Sequence, residues 1–265
     1  MTLTSLADAI DSRLYGGKTA ALAIALRAGL PVPDGLALSV SEVADLPDEI
    51  GTLVEGLLQG PYAVRSSAPK EDGVEASFAG IHSTSLNVPK KFLEEAIRGV
   101  EASAYSPRAE EYRRRLGVSG APEMAVCIQT FIPAELSGVL FTRNPATGAD
   151  EYVVEAVRGL GEAIVQGIVD PDQYRLTGET VDPPARLGHQ TVMFQPSPVI
   201  GTLKVEVETH SKLLLGTDEL DALVELTEKC RDAFPSFEVL DIEWAIHDDI
   251  LYLLQVRPAL VRRPA

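Results

Sequence analysis

Hydrophobic and polar positions along the chain alternate between the two common periods, and the changes of period mark the elements. Leu220, Leu223, Val224 and Cys230 repeat at helical spacing, which predicts an amphipathic helix over Thr217 to Phe234. A run rich in Ala and Leu from Thr19 to Ala28, stopped by Gly29, predicts another. Further helices are expected over Glu42 to Leu58, Pro89 to Ala104 and Pro107 to Leu116, with a short one opening at Gly159-Leu160-Gly161-Glu162 and ending near Gly167. Strands are expected over Gly35 to Val40, Tyr62 to Arg65, Met124 to Phe131, Ser137 to Thr142 and Tyr152 to Val157. The stretch from Leu187 to Leu203 mixes Pro, Gly and β-branched residues and matches neither period. Helices and strands interleave without strict βαβ alternation, so the expected class is α+β in two lobes, 1–130 and 131–265.

Strict alternation is densest at the end of the chain. Val239 to Ile246 and Ile250 to Arg257 read as a hairpin, and a three-residue loop, His247-Asp248-Asp249, sets Ile246 opposite Ile250. In that register Asp241 faces Gln255, Glu243 faces Leu253 and Val239 faces Arg257. Asp241, Glu243, Gln255 and Arg257 then share one face, because side chains alternate along a strand. Leu240, Ile242, Trp244 and Ile246 lie on the other, with Ile250, Tyr252, Leu254 and Val256. Carboxylate and amide oxygens beside a guanidinium suit a magnesium–phosphate complex. A solvent-facing hairpin with incidental charges has the same pattern, and a one-residue slip would break the shared face.

Two other places carry candidate chemistry. Gly16-Gly17-Lys18 is a glycine turn opening a helix, with a cation at the end where the helix dipole disfavours one. Either a bound anion compensates, or the lysine is simply solvated. Arg65-Ser66-Ser67 follows a strand and leads into a small-residue loop through Gly80, which reads as a phosphate clamp or as an ordinary hairpin loop.

The whole-chain numbers narrow the class. Of 265 residues, 45% are hydrophobic and 23% charged, an ordinary globular balance. Acidic side chains number 39 against 23 basic, a formal charge of −16 that argues against nucleic acid or an anionic membrane as partner. Cys127 and Cys230 are isolated and read as small buried hydrophobes. Asp8 and Asp11 stand where a signal peptide needs a basic start, and no apolar run reaches the ~20 residues of a membrane span, so a cytoplasmic protein is expected.

Six blocks in order resemble the ATP-binding domain of the phosphoenolpyruvate synthase and pyruvate phosphate dikinase family, which rifamycin phosphotransferase shares. They are Gly16-Gly17-Lys18, Val64 to Ala68, Ala76 to Gly80, Ser137 to Pro145, Glu155 to Glu162, and Asp241 to Ile246 with Gln255 to Pro258. The resemblance implies an ATP-grasp fold with ATP held between two lobes, and it implies the following roles. Lys18 and Arg65 contact phosphates, and the loop through Gly80 to Thr84 and Ser85 closes over them. Gln129 marks an adenine-side hinge, where backbone groups of Thr130 to Ile132 read the base edge. Glu243 and Gln255 bind magnesium, Arg257 binds phosphate, and Arg143 is a further transition-state cation.

Departures from the family pattern are Arg158, in place of an aromatic, and Lys70, where the loop is more often small or acidic. Relatives carry a phosphorylated histidine in a Gly-Gly-x-Ser/Thr-x-His setting, and none of His82, His189, His210 and His247 has one. The implied activity is transfer of a phosphoryl or pyrophosphoryl group from Mg-ATP to a histidine on a separate or missing swivelling domain. The alternatives are a stand-alone small-molecule kinase and a noncatalytic nucleotide-binding module.

Overall fold

The computed structural model describes residues 3–69, 72–73, 76–77, 84–115, 120–177 and 180–259. The chain forms two compact units, one of Met1–Arg27, Pro33–Phe131 and Pro196–Gly201, the other of Ala28–Val32, Ile132–Gln195 and Thr202–Ala265.

The first unit contains β1 (Thr4–Ser5), α1 (Ser12–Arg27), β2 (Gly35–Leu38), α2 (Val40–Ala44), α3 (Ile50–Glu55) and β3 (Tyr62–Ser67). It continues with β4 (Asp72–Gly73), β5 (Ala76–Ser77), β6 (Thr84–Val88), α4 (Leu93–Ser103), α5 (Pro107–Arg115) and β7 (Ala125–Thr130). Its main sheet is antiparallel in the order β1-β2-β7-β3-β6. Leu36, Leu38, Val64, Val126 and Ile128 from this sheet cluster with Leu93, Ile97 and Val100 of α4 in the core. Parity puts Ala37, Arg65, Ser67 and Cys127 on the other face, where α1 packs. The single helix expected over Glu42 to Leu58 is instead two. α2 starts in a capping box between Ser39 and Glu42 and stops before Pro47, whose ring removes a donor and keeps Leu46 out of the helical region.

The second unit contains β8 (Leu136–Phe141), β9 (Tyr152–Arg158), α6 (Glu162–Val165), β10 (Asp172–Thr177) and β11 (Thr180–Arg186). After the hairpin of β12 (Val192–Pro196) and β13 (Thr202–Glu206) come α7 (Thr217–Ala233), β14 (Leu240–His247) and β15 (Ile250–Pro258). Its antiparallel sheet runs β11-β10-β9-β8-β14-β15. β10 and β11 are absent from the sequence reading. β11 carries Pro183 and Pro184 in succession, which only an edge strand tolerates.

The segment that matched neither period is ordered partly by one buried carboxylate in this unit. Asp172 accepts hydrogen bonds from the Gly188 and Leu214 amides at 2.7 and 2.8 Å and pairs with His210 Nε2 at 2.8 Å. The Tyr174 hydroxyl takes the Leu215 amide at 2.8 Å. Among the described residues no helix is long and apolar enough to cross a membrane.

The β14–β15 hairpin corrects the sequence reading in detail. His247 pairs with Ile250, so the loop is two residues, Asp248 and Asp249, with φ of 49° and 60°. Two consecutive left-handed residues make a type I′ turn, whose twist matches the strands it joins. The register then shifts between Trp244, opposite Leu253, and Glu243, opposite Gln255, so Leu254 is the extra residue of a β-bulge. A loop one residue shorter and one residue inserted cancel in parity. Asp241 therefore faces Arg257, and Glu243 faces Gln255. Between bulge and turn the parity reverses: Leu253 is fully buried, Leu254 and Tyr252 are half-buried, and Ile250 is exposed.

Candidate functional site

In the first unit the glycine turn and the arginine strand meet. Gly16 interrupts α1 with φ 78° and ψ 164°, so a short first turn and the longer helix after it meet at a kink. A Cβ at Gly16 would lie 2.1 Å from the Ser67 carbonyl oxygen and 2.3 Å from its Oγ. The backbone of the turn thus rests directly on the end of β3, and only glycine allows this approach. The Gly17 amide donates to the Ala68 carbonyl at 3.4 Å, and the Thr19 amide donates to Ser67 Oγ at 3.0 Å. Lys18, half-buried, sits between these two anchored residues.

Arg65 lies two residues before Ser67 on the same face of β3, opposite Cys127 and Thr84, while Ser85 pairs with Val64. Arg65 Nε is buried and has no hydrogen-bond partner. Buried polar atoms are nearly always paired, so an orphaned guanidinium nitrogen beside the glycine turn fits an anionic ligand. Burial pushes the Cys127 thiol up to about 12, with Arg65 and Thr19 opposing, so the sulfur is inert. Gly80, Lys70 and His82 lie outside the described residues.

Gln129 is almost fully buried, and its Nε2 donates to the Pro33 carbonyl at 3.1 Å. The Thr130 and Phe131 amides are already given to the Asp34 and Pro61 carbonyls, both at 2.9 Å. Those two amides and Gln129 Nε2 are thus engaged within the fold.

In the second unit the polar face of the hairpin is built by register. Arg257 Nε and one terminal nitrogen meet Asp241 Oδ2 at 2.9 and 2.7 Å, which holds the guanidinium against the carboxylate opposite it. Burial raises the Asp241 carboxyl above the usual range, the Arg257 charge lowers it, and the Glu243 charge raises it again. Asp241 Oδ1 is buried without a partner. Two carboxylates and an amide oxygen, one of those oxygens orphaned, form a hard donor set that fits magnesium.

The cross-strand row containing Glu243 and Gln255 continues through Val139 to Glu155 and Gln173. Gln173 Nε2 donates to Glu155 Oε1 at 3.2 Å. Glu155 is thus a further acid on the same face, and Asp241 is the partner that holds Arg257. Sequence placed Asp241 among the metal–phosphate carboxylates of the hairpin face but did not pair it with Arg257, and it gave Glu155 no role, although both stand inside the motif blocks. Arg143 follows β8 at the Asp241 end of the sheet, since Phe141 pairs with Asp241, and it lies 4.0 Å from Asp150.

Comparison with known proteins gives the family to which these residues belong. The family model described as pyruvate phosphate dikinase, AMP/ATP-binding domain, matches residues 41–265, so Lys18 stands upstream of the matched span. A probable phosphoenolpyruvate synthase of Methanothermobacter thermautotrophicus is 32% identical over 94% of this chain and 44% of its own length. An uncharacterized phosphotransferase of Bacillus subtilis is 31% identical over 94% of this chain and 34% of its own. A rifampicin phosphotransferase of a Streptomyces species is 37% identical over 80% of this chain and 25% of its own. The chain thus spans between a quarter and a half of the length of these relatives. It belongs to the family of the pyruvate phosphate dikinase AMP/ATP-binding domain.

Proposed function

We propose that the chain is the ATP-binding component of a phosphotransferase of the ATP-grasp type, passing a phosphoryl or pyrophosphoryl group from Mg-ATP to a histidine on a separate or further domain. The observation that carries the reading is the in-register row of Glu243 and Gln255 beside the Asp241–Arg257 clamp. Glu243 and Gln255 would hold the magnesium ion, whose contribution is to neutralise charge on the phosphate oxygens.

The protein's own part is positioning and charge, because phosphoryl transfer asks for little covalent participation. Lys18 and Arg65 bind phosphate oxygens, with Thr84 and Ser85 on the strand beside Arg65. Arg257, held rigid by Asp241, stabilises charge that develops as the P–O bond breaks. Arg143 adds a second cation at the same end of the sheet. The bond formed is P–N on an acceptor imidazole, and ADP or AMP leaves. None of this needs a basic protein overall, since a few local cations can set the potential at a phosphate site in an acidic chain.

Incubation with ATP labelled at the γ- or β-phosphate, with and without a histidine-bearing domain from a relative, tests the reading. Label that appears on the partner only when both proteins and magnesium are present is the expected result. Turnover with a small hydroxyl acceptor and no protein partner would favour the stand-alone kinase, a reading that the rifampicin phosphotransferase relative makes specific. Tight ATP binding with no transfer to either acceptor would overturn both.

A further inference from the structure

The turn end of the β14–β15 hairpin holds a second group of metal-ligating side chains that the nucleotide reading does not use. His247 closes β14, and Asp248 follows it in the left-handed turn. Glu135 immediately precedes β8, and its amide donates to the Ile246 carbonyl at 2.9 Å, so the backbone is tied one residue from His247. One ligand atom from each of the three residues lies within 4.8 Å of the others, the one such group among the described residues.

Neither carboxylate is hydrogen-bonded to the imidazole ring. Glu135 Oε1 is 3.7 Å from His247 Nδ1, and Asp248 Oδ2 is 3.5 Å from Nε2. Both exceed the ~2.7–3.2 Å of an N–H···O bond. Ligand atoms that each sit about 2.0–2.1 Å from a tetrahedral zinc ion stand about 3.4 Å apart, so the spacing of Glu135 to Nδ1 is close to that around a shared ion, whereas Asp248 lies against the other ring nitrogen. His247 Nδ1 is buried and has no hydrogen-bond partner, although the ring is near two carboxylates. A single ion faces one ring nitrogen, and Nδ1 is the unsatisfied one. Asp248, a mostly exposed side chain on a turn, can swing from Nε2 to complete the set, and Glu135 is equally free to rotate.

We propose that Glu135, His247 and Asp248 form a binding site for one transition-metal dication, zinc above all, which braces the turn of the hairpin against the start of β8. Imidazole with carboxylates selects zinc, nickel or cobalt over magnesium, whereas the oxygen-only set of Asp241, Glu243 and Gln255 selects magnesium. Four residues of β14, about 13 Å at ~3.3 Å per residue, separate Glu243 from His247, so the two sites load independently. The proposal does not depend on the phosphotransferase reading.

Calorimetric titration of zinc chloride into the chain, with millimolar magnesium present throughout, tests it. One zinc per chain is expected, undisturbed by magnesium, together with a rise of a few degrees in the thermal midpoint. His247→Ala is expected to weaken zinc binding at least tenfold, and Glu135→Gln and Asp248→Asn to weaken it measurably. The Glu135 variant keeps the test alive should His247→Ala fail to fold, because the only hydrogen bonds the structure shows for Glu135 are backbone ones. Glu243→Gln is expected to leave the zinc isotherm unchanged. Cobalt in place of zinc should give visible d–d bands that vanish in His247→Ala. Absence of saturable zinc binding, or an isotherm unaffected by both His247→Ala and Glu135→Gln, overturns the proposal. So does an isotherm abolished by Glu243→Gln, which would assign the ion to the other end of the strand.

Discussion

Gly16→Ala tests whether the glycine turn is seated on β3 as described. The substitution meets two costs. Residues other than glycine are rare at φ 78° and ψ 164°, and forcing one there costs about 1–3 kcal/mol. The added Cβ also starts 2.1 Å from the Ser67 carbonyl oxygen, so the turn must retreat by at least about 1.3 Å to reach ordinary van der Waals contact. That movement stretches the Thr19 amide to Ser67 Oγ and the Gly17 amide to Ala68 carbonyl bonds, each worth about 1 kcal/mol. The total is about 3–5 kcal/mol. Gly29→Ala is the matched control, for Gly29 has φ 77° but nothing within 4 Å of its would-be Cβ. There the cost is only the backbone one, about 1–2 kcal/mol. Urea denaturation of both variants at 25 °C, followed by ATP titration of whatever remains folded, measures the difference. Gly16→Ala should lose about 1–4 kcal/mol more than Gly29→Ala and should bind ATP at least tenfold more weakly, since a displacement of about 1 Å in a positioning segment is that costly. Equal losses in the two variants would show that the turn is not in contact with Ser67, and the reasoning would fail.

Other outcomes follow from the same geometry. Arg65→Ala should weaken ATP about 10- to 100-fold, the worth of one charge-assisted phosphate contact, and an unchanged Kd by equilibrium dialysis would refute its role. Glu243→Gln should retain ATP binding while magnesium-dependent turnover disappears, so wild-type turnover would exclude it as a metal ligand. Asp241, its carboxyl raised by burial, binds its proton more tightly in the folded than in the unfolded chain. Its contribution to stability is therefore full below the unfolded value of about 3.9 and is lost as pH climbs through the raised native one. The stability of wild type minus that of Asp241→Asn should fall over that interval in urea midpoints, and a rising difference would contradict the assignment. Deleting Leu254 should leave Glu243 opposite Gln255 and Mg-ATP affinity within a few-fold of wild type; loss of binding would mean that the bulge itself shapes the site.

What the chain reveals before its structure depends on how local the cause is. Asp241, Glu243, Gln255 and Arg257 could be put on one face because strand parity is a property of adjacent residues, and two errors of one residue happened to cancel. Leu251 to Leu254 could not be assigned correctly, since a run of apolar residues contains no mark of where a bulge falls. Asp172 to Thr177 does alternate, with Tyr174 and Leu176 buried, and the signal was there to be read. The neighbouring strand hides behind Pro183 and Pro184, whose tolerance depends on being at the sheet edge. The contact of Gly16 with Ser67 joins positions about fifty residues apart, and nothing nearby in sequence announces it. Likewise, that Gln129 is committed to the Pro33 carbonyl depends on how the chain returns to β7.

The inserted leucine at 254 gives this hairpin two independently phased halves. Ahead of it, the chain can be trimmed or exchanged around the Asp248–Asp249 corner, and a gained or lost kink can absorb one residue of difference without touching the acidic end. Past it there is no such slack. One extra residue between Gln255 and Pro258 would rotate Arg257 into the space that Val256 fills against Ile242 and would leave Asp241 buried with its charge uncompensated. Drift in length should therefore be permitted at the tip of this ribbon and forbidden over its last four residues.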